Sequence, residues 1–104
     1  MKPLFSLVLM ACAAAAQAAP YPLGTMTCDD IGAFASEAMG WRKAGVPREQ
    51  AMARLDQRQY GDPVEKKNLI AVVDLVYGPY GRNWGVESAG NVLKTDCMTG
   101  REQK

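Results

Sequence analysis

The sequence predicts an all-α fold, a small domain of four helices closed by one disulfide. Three observations predict it. Apolar residues recur at steps of three and four through most of the chain, the spacing of one helix face. Thr, Asp and Pro stand where helices begin, and Gly where they end. Two cysteines, Cys28 and Cys97, lie near opposite ends of the part that follows an export signal. A length of 104 residues holds one domain, so no second is expected.

The export signal comes first in the chain. Residues 1–18 carry a basic start at Lys2, an apolar stretch from Leu4 to Ala16, and then small residues. Ala16-Gln17-Ala18 matches the small-x-small pattern of signal peptidase, so cleavage is expected after Ala18 and release into the periplasm follows. A competing pattern, Leu9-Met10-Ala11-Cys12, looks like a lipobox that would acylate Cys12, but its Met and the short apolar run before it argue against a lipid anchor. No stretch reaches the roughly 20 apolar residues that cross a bilayer as a helix.

Residues 19–104 form the single helical domain, with 19–26 expected as an extended lead-in because two prolines and a glycine fall there. Thr27 then caps a first helix over 28–44, where Asp29 and Asp30 meet the positive end of the dipole. Ile31, Phe34, Ala38 and Trp41 mark its apolar face, and Gly45 ends it. Pro47 opens a short surface helix over 47–58, whose apolar stripe is Ala51, Met52 and Leu55.

Asp62-Pro63-Val64-Glu65 is the strongest local signal: an N-cap Asp, Pro in the first turn, and Glu placed to reach back to the cap N–H. The run from Leu69 to Tyr77 is apolar almost all round and its β-branched residues would also suit a buried strand, but the cap and the lack of a partner strand favour a third helix, expected to be central and most buried. Residues 78–85 are expected to be irregular, because three glycines and a proline fall there. A last helix over 86–98 turns Val86, Ala89, Val92, Leu93 and Cys97 to one side. Gly90 costs it about 1 kcal/mol against Ala. Thr99-Gly100 ends it, and a frayed polar tail follows over 99–104.

After cleavage at Ala18, Cys28 and Cys97 are the only thiols, and an even count in an exported chain points to a disulfide between them. Neither a redox pair nor a metal site fits, because there is no CxxC spacing and no His. The absence of His also excludes a His general base, a His-bearing triad and c-type haem attachment. The chain carries 12 Lys and Arg against 11 Asp and Glu, and loss of Lys2 with the leader makes the remainder neutral. Nucleic acid is therefore not an expected partner.

Gly78, Gly81 and Gly85 lack the spacing of a phosphate cradle, and Met26, Met39, Met52 and Met98 are too scattered for a soft-metal site. No cofactor and no metal are expected. Asp74, the one charge in the apolar run of the third helix, has two readings. As a buried carboxylate it would act as an acid or base; the expected reading is a solvated strip shared with Lys67.

Tyr77, Tyr80, Arg82 and Trp84 crowd around glycines, and Tyr, Trp and Arg dominate binding hot spots. These four are the candidate partner-binding residues. The alternative places Tyr77 and Trp84 inward as core filling.

The Ala-rich leader, Cys28-Asp29-Asp30-Ile31, the Arg42, Gly45, Val46 break, Val76-Tyr77 and the late Cys97 together resemble a loose group of small exported proteobacterial proteins, also met in phage-derived regions, whose function is generally unassigned. The resemblance implies a disulfide-closed helical domain and carries no catalytic residue across. The Gly-rich segment 78–85 departs from that group. The functional expectation is a non-enzymatic periplasmic protein that binds or inhibits another periplasmic or secreted protein, as immunity proteins do. The alternative is a stress-responsive holdase, and a hydrolase built on Asp74 ranks last because no nucleophile and base pair is legible.

Overall fold

A computed structural model describes residues 23–101. The expected signal peptide over 1–18, Cys12, the start of the lead-in and residues 102–104 of the tail lie outside the described residues. The fold is all-α: α1 (Cys28–Lys43), α2 (Arg48–Asp56), α3 (Pro63–Tyr77) and α4 (Val86–Arg101), with a short 3-10 helix (Pro79–Asn83) between α3 and α4.

Local chemistry sets α1 as read from the sequence. Thr27 and Asp30 form a reciprocal capping box: the Thr27 hydroxyl accepts from the Asp30 N–H at 3.1 Å, and the Asp30 carboxylate accepts from the Thr27 N–H at 2.9 Å. Gly45 follows the helix with φ +87°, a backbone that side chains strain to adopt. Arg42 and Lys43 stand at the negative end of the helix dipole.

The hub is α1 rather than α3. It packs most extensively on α4, then on α3, and also reaches α2. Its face Ile31, Phe34, Ala35, Ala38 and Met39 is buried, and α3 adds Leu69, Val72, Val73 and Val76. On α3 Ala71, Asp74 and Leu75 are exposed, so that helix is two-faced and not apolar all round.

Cys28 and Cys97 are joined as expected, with Cα atoms 5.6 Å apart, at the point where α1 begins and α4 nears its end. The two helices run antiparallel from there. Ser36, two turns further along α1, donates its hydroxyl to the Val86 carbonyl at 2.8 Å. Between these ties Gly32 faces Gly90: a Cβ at Gly32 would stand 2.9 Å from the Gly90 oxygen, and one at Gly90 would stand 2.9 Å from the Gly32 oxygen and overlap the Ser36 hydroxyl. Gly90 was expected only to weaken its helix. Instead it lets the α1 and α4 backbones approach closely.

Several expectations are corrected. Segment 78–85 is not wholly irregular, because Pro79 suits the first turn of a helix and the Gly78 and Gly81 carbonyls accept from Gly81 and Trp84 at 3.2 and 3.1 Å. Helix α4 runs through Thr99-Gly100 to Arg101. Nothing there forces a left-handed turn. Val86 and Val92 face solvent, and Ala89, Leu93 and Cys97, at steps of four, make the buried row. Helix α2 begins one residue after Pro47, which is its N-cap, and ends at Asp56. Residues 23–26 are a turn, not an extended lead-in, closed by Met26 N–H on the Leu23 carbonyl at 2.9 Å with Leu23 buried.

Glu65 does not reach back to the Asp62 N–H. It is buried and accepts from the Thr25 hydroxyl, the Thr25 N–H at 3.0 Å and the Gly61 N–H at 3.2 Å, latching the 23–26 turn to α3. The Thr25 hydroxyl chiefly holds the Glu65 carboxyl below its ordinary value of 4.5, against burial and the nearby charge of Asp30. A depressed folded value means that the ionised latch stabilises fully above about 4.5 and fades as pH falls through the folded value. Urea unfolding across an acid series is therefore expected to show a shallower loss below that pH in Glu65→Gln than in the parent. Equal slopes would contradict the latch.

Candidate functional site

The four aromatic and basic residues singled out in the sequence divide into an inward and an outward pair. Tyr77, at the end of α3, is half-buried and donates its hydroxyl to the Val46 carbonyl at 2.7 Å, fastening the α1–α2 connection to α3. Burial holds its phenol above the ordinary value, against the nearby charges of Arg54 and Arg42. Trp84 is half-buried and packs against the core. Tyr80 and Arg82 point outward, and Tyr80, 74% exposed, is the most exposed large hydrophobic side chain among the described residues.

The backbone beneath that outward pair is firmly held. Arg42 of α1 donates from Nη1 to the Val76 carbonyl at 2.6 Å and the Gly78 carbonyl at 3.2 Å, satisfying acceptors that the end of α3 leaves open. Gly81 is buried so tightly that a Cβ there would overlap the Val76 carbonyl. The 3-10 helix is thus pinned from α1 by charge and from α3 by close approach.

Sequence reasoning missed what lies beside the tip. Met39, Arg42, Lys43, Gly81 and Arg82 enclose a hollow of about 180 Å³ between the end of α1 and the 3-10 helix. Arg42 and Lys43 follow a legible helix face, but nothing local tells that a segment about 40 residues later returns to them.

A larger hollow of about 290 Å³ opens between the first half of α1 and the α2–α3 corner. Its charged groups and the Tyr60 hydroxyl are already engaged. Glu37 pairs with Arg58 at 3.3 Å, Asp30 caps α1, Glu65 latches the Thr25 turn, and the Tyr60 hydroxyl donates to the Leu55 carbonyl at 2.7 Å. Arg58, just after α2, also lies 5.1 Å from the centre of the Phe34 ring, and Arg54 of α2 lies 5.0 Å from that of Trp41, so two guanidinium groups cover the aromatic row of α1. Phe34 and Trp41 meet edge to face at 5.7 Å. This corner is built as packing between helices.

Asp74 is half-exposed and pairs with Arg48 of α2, not with Lys67. Among the described residues no group of three or more His, Cys, Asp or Glu is placed to hold a metal, and no helix is long and apolar enough to cross a membrane.

Fold and site together define a disulfide-closed all-α domain that presents one pinned aromatic and basic tip. Compared with known proteins, the chain matches no family model, no curated protein and no solved structure.

Proposed function

We propose that this protein works outside the cytosol as a non-enzymatic binding module, of the inhibitory or immunity type, and that it meets a protein partner through Tyr80 and Arg82. The observation that carries the reading is the exposure of Tyr80 on a backbone held by Arg42 and by the close approach of Gly81. A ring on a fixed backbone loses little freedom when a partner covers it, so more of the contact energy appears as affinity.

The leader-like sequence at 1–18 and the pairing of Cys28 with Cys97 support an oxidising compartment. Tyr77 and Trp84 take the supporting role in this reading, holding the tip from below. Affinity capture from a periplasmic extract is expected to retain one dominant partner with the parent protein and to lose it with Tyr80→Ala combined with Arg82→Ala. Both side chains are exposed, so the double variant is expected to keep its unfolding midpoint. Undiminished capture by a folded double variant would remove the tip from the account.

A further inference from the structure

We propose that the hollow beside the 3-10 helix, walled by Arg42, Lys43 and Arg82 over Met39, receives a carboxylate side chain of the protein partner, so that the module recognises an acidic segment. The inference rests on the reading of the tip as the contact surface and adds the chemistry of what the tip contacts.

Most of the uncommitted positive charge lies beside the 3-10 helix. Arg48, Arg58, Lys66 and Lys94 each sit on a carboxylate of this chain. Arg54 lies over the Trp41 ring. Among the described cationic side chains that leaves Lys43, Lys67 and Arg82 without an ion-pair or ring partner, and Arg42 engaged only with neutral carbonyls. Lys43, Arg82 and Arg42 line one hollow, although they come from two elements about 40 residues apart. No carboxylate lines it.

The shape of the hollow agrees. Met39 is buried beneath, Gly81 brings backbone to the wall without a side chain, and the volume of about 180 Å³ suits one carboxylate-bearing side chain. Arg82 offers the planar fork that meets a carboxylate through two parallel bonds, and Lys43 adds a point charge. Arg42 is fixed by its carbonyl bonds, so its charge stays in place before anything binds. A free inorganic anion would satisfy these charges and leave Tyr80 in water. An acidic protein segment brings apolar neighbours that can cover the ring, and this favours a protein source. The chain as a whole is nearly neutral, so the attraction is local and acts on contact rather than at long range.

The test follows backbone amide shifts of the oxidised protein by NMR during titration with a blocked peptide of alternating glutamate and leucine. Its glutamine counterpart and inorganic phosphate serve as separate arms. The expected result is saturable movement of the Lys43, Gly81 and Arg82 amides with the glutamate peptide, weaker at high salt and weakened at least about tenfold by Lys43→Glu with Arg82→Glu, as the loss of a charge-assisted contact predicts. No movement, equal movement with the glutamine peptide, or affinity indifferent to charge reversal would overturn it. Equal movement with phosphate would make the hollow a site for an adventitious ion only. Failure of the tip itself reads differently: capture of the partner then survives Tyr80→Ala. Capture lost with Tyr80→Ala yet unchanged by Lys43→Glu would spare the tip and refute the acidic partner.

Discussion

Replacing Cys28 or Cys97 with Ser is expected to lower stability by about 4 kcal/mol. The two positions are 69 residues apart, and cross-linking them removes from the unfolded ensemble most of the freedom of the chain between. Domains of this size commonly hold only a few kcal/mol from their core alone. The folded structure adds a second reason. The bond ties the start of α1 to the end of α4, the most extensive helix pair, so its loss frees one end of the unit that carries the fold. Urea unfolding should place Cys28→Ser, Cys97→Ser and the double variant at one common, lowered midpoint, and reduction of the parent should bring it there. A midpoint unmoved by reduction would show that the helix pair holds without the bond.

Gly90→Ala is expected to destabilise, by about 1–3 kcal/mol, although Ala is the better helix former by about 1 kcal/mol. The methyl would overlap the Ser36 hydroxyl and stand 2.9 Å from the Gly32 carbonyl oxygen, and the second of these is backbone that cannot swing aside. To admit it, α1 and α4 must move apart, which strains the Ser36 bond to Val86 and loosens the Ala35, Ala89 and Leu93 packing. Gly40 supplies the contrast. It also lies within a helix, on α1, but a Cβ there meets nothing within 4 Å. Gly40→Ala should therefore gain up to about 1 kcal/mol from propensity alone. Thermal unfolding of the two variants should move in opposite directions, and a stabilising Gly90→Ala would refute the close crossing.

The elements legible in the sequence were those decided by near neighbours. The Thr27 cap, the Ile31, Phe34 and Ala38 spacing and Gly45 all act within a turn or two of one another, and α1 emerges with nearly the predicted bounds. The features that were not legible depend on distant partners. Gly90 reads as a weakness until Gly32 is seen opposite. Glu65 matches a capping box until Thr25, 40 residues earlier, proves the better donor. The segment around Gly81 becomes a 3-10 helix because Arg42 and the Val76 carbonyl hold it, and neither is adjacent in sequence.

The candidate site shows the same division. Composition singles out Tyr77, Tyr80, Arg82 and Trp84, but which pair turns inward is settled by the Val46 carbonyl and by the core beneath Trp84. Lys43 and Arg42 carried no signal linking them to Arg82. Their meeting is a product of the α1–α4 antiparallel pairing, which returns the chain to the end of α1.

One covalent bond closes the start of α1 on the end of α4 and so secures the helix pair on which the fold is built. Thiol alkylation of the protein purified without reductant, under denaturing conditions, tests this bond directly. The account predicts no alkylated Cys28 or Cys97 and a cross-linked peptide pair containing both. Two freely alkylated thiols in a fully folded protein would contradict it.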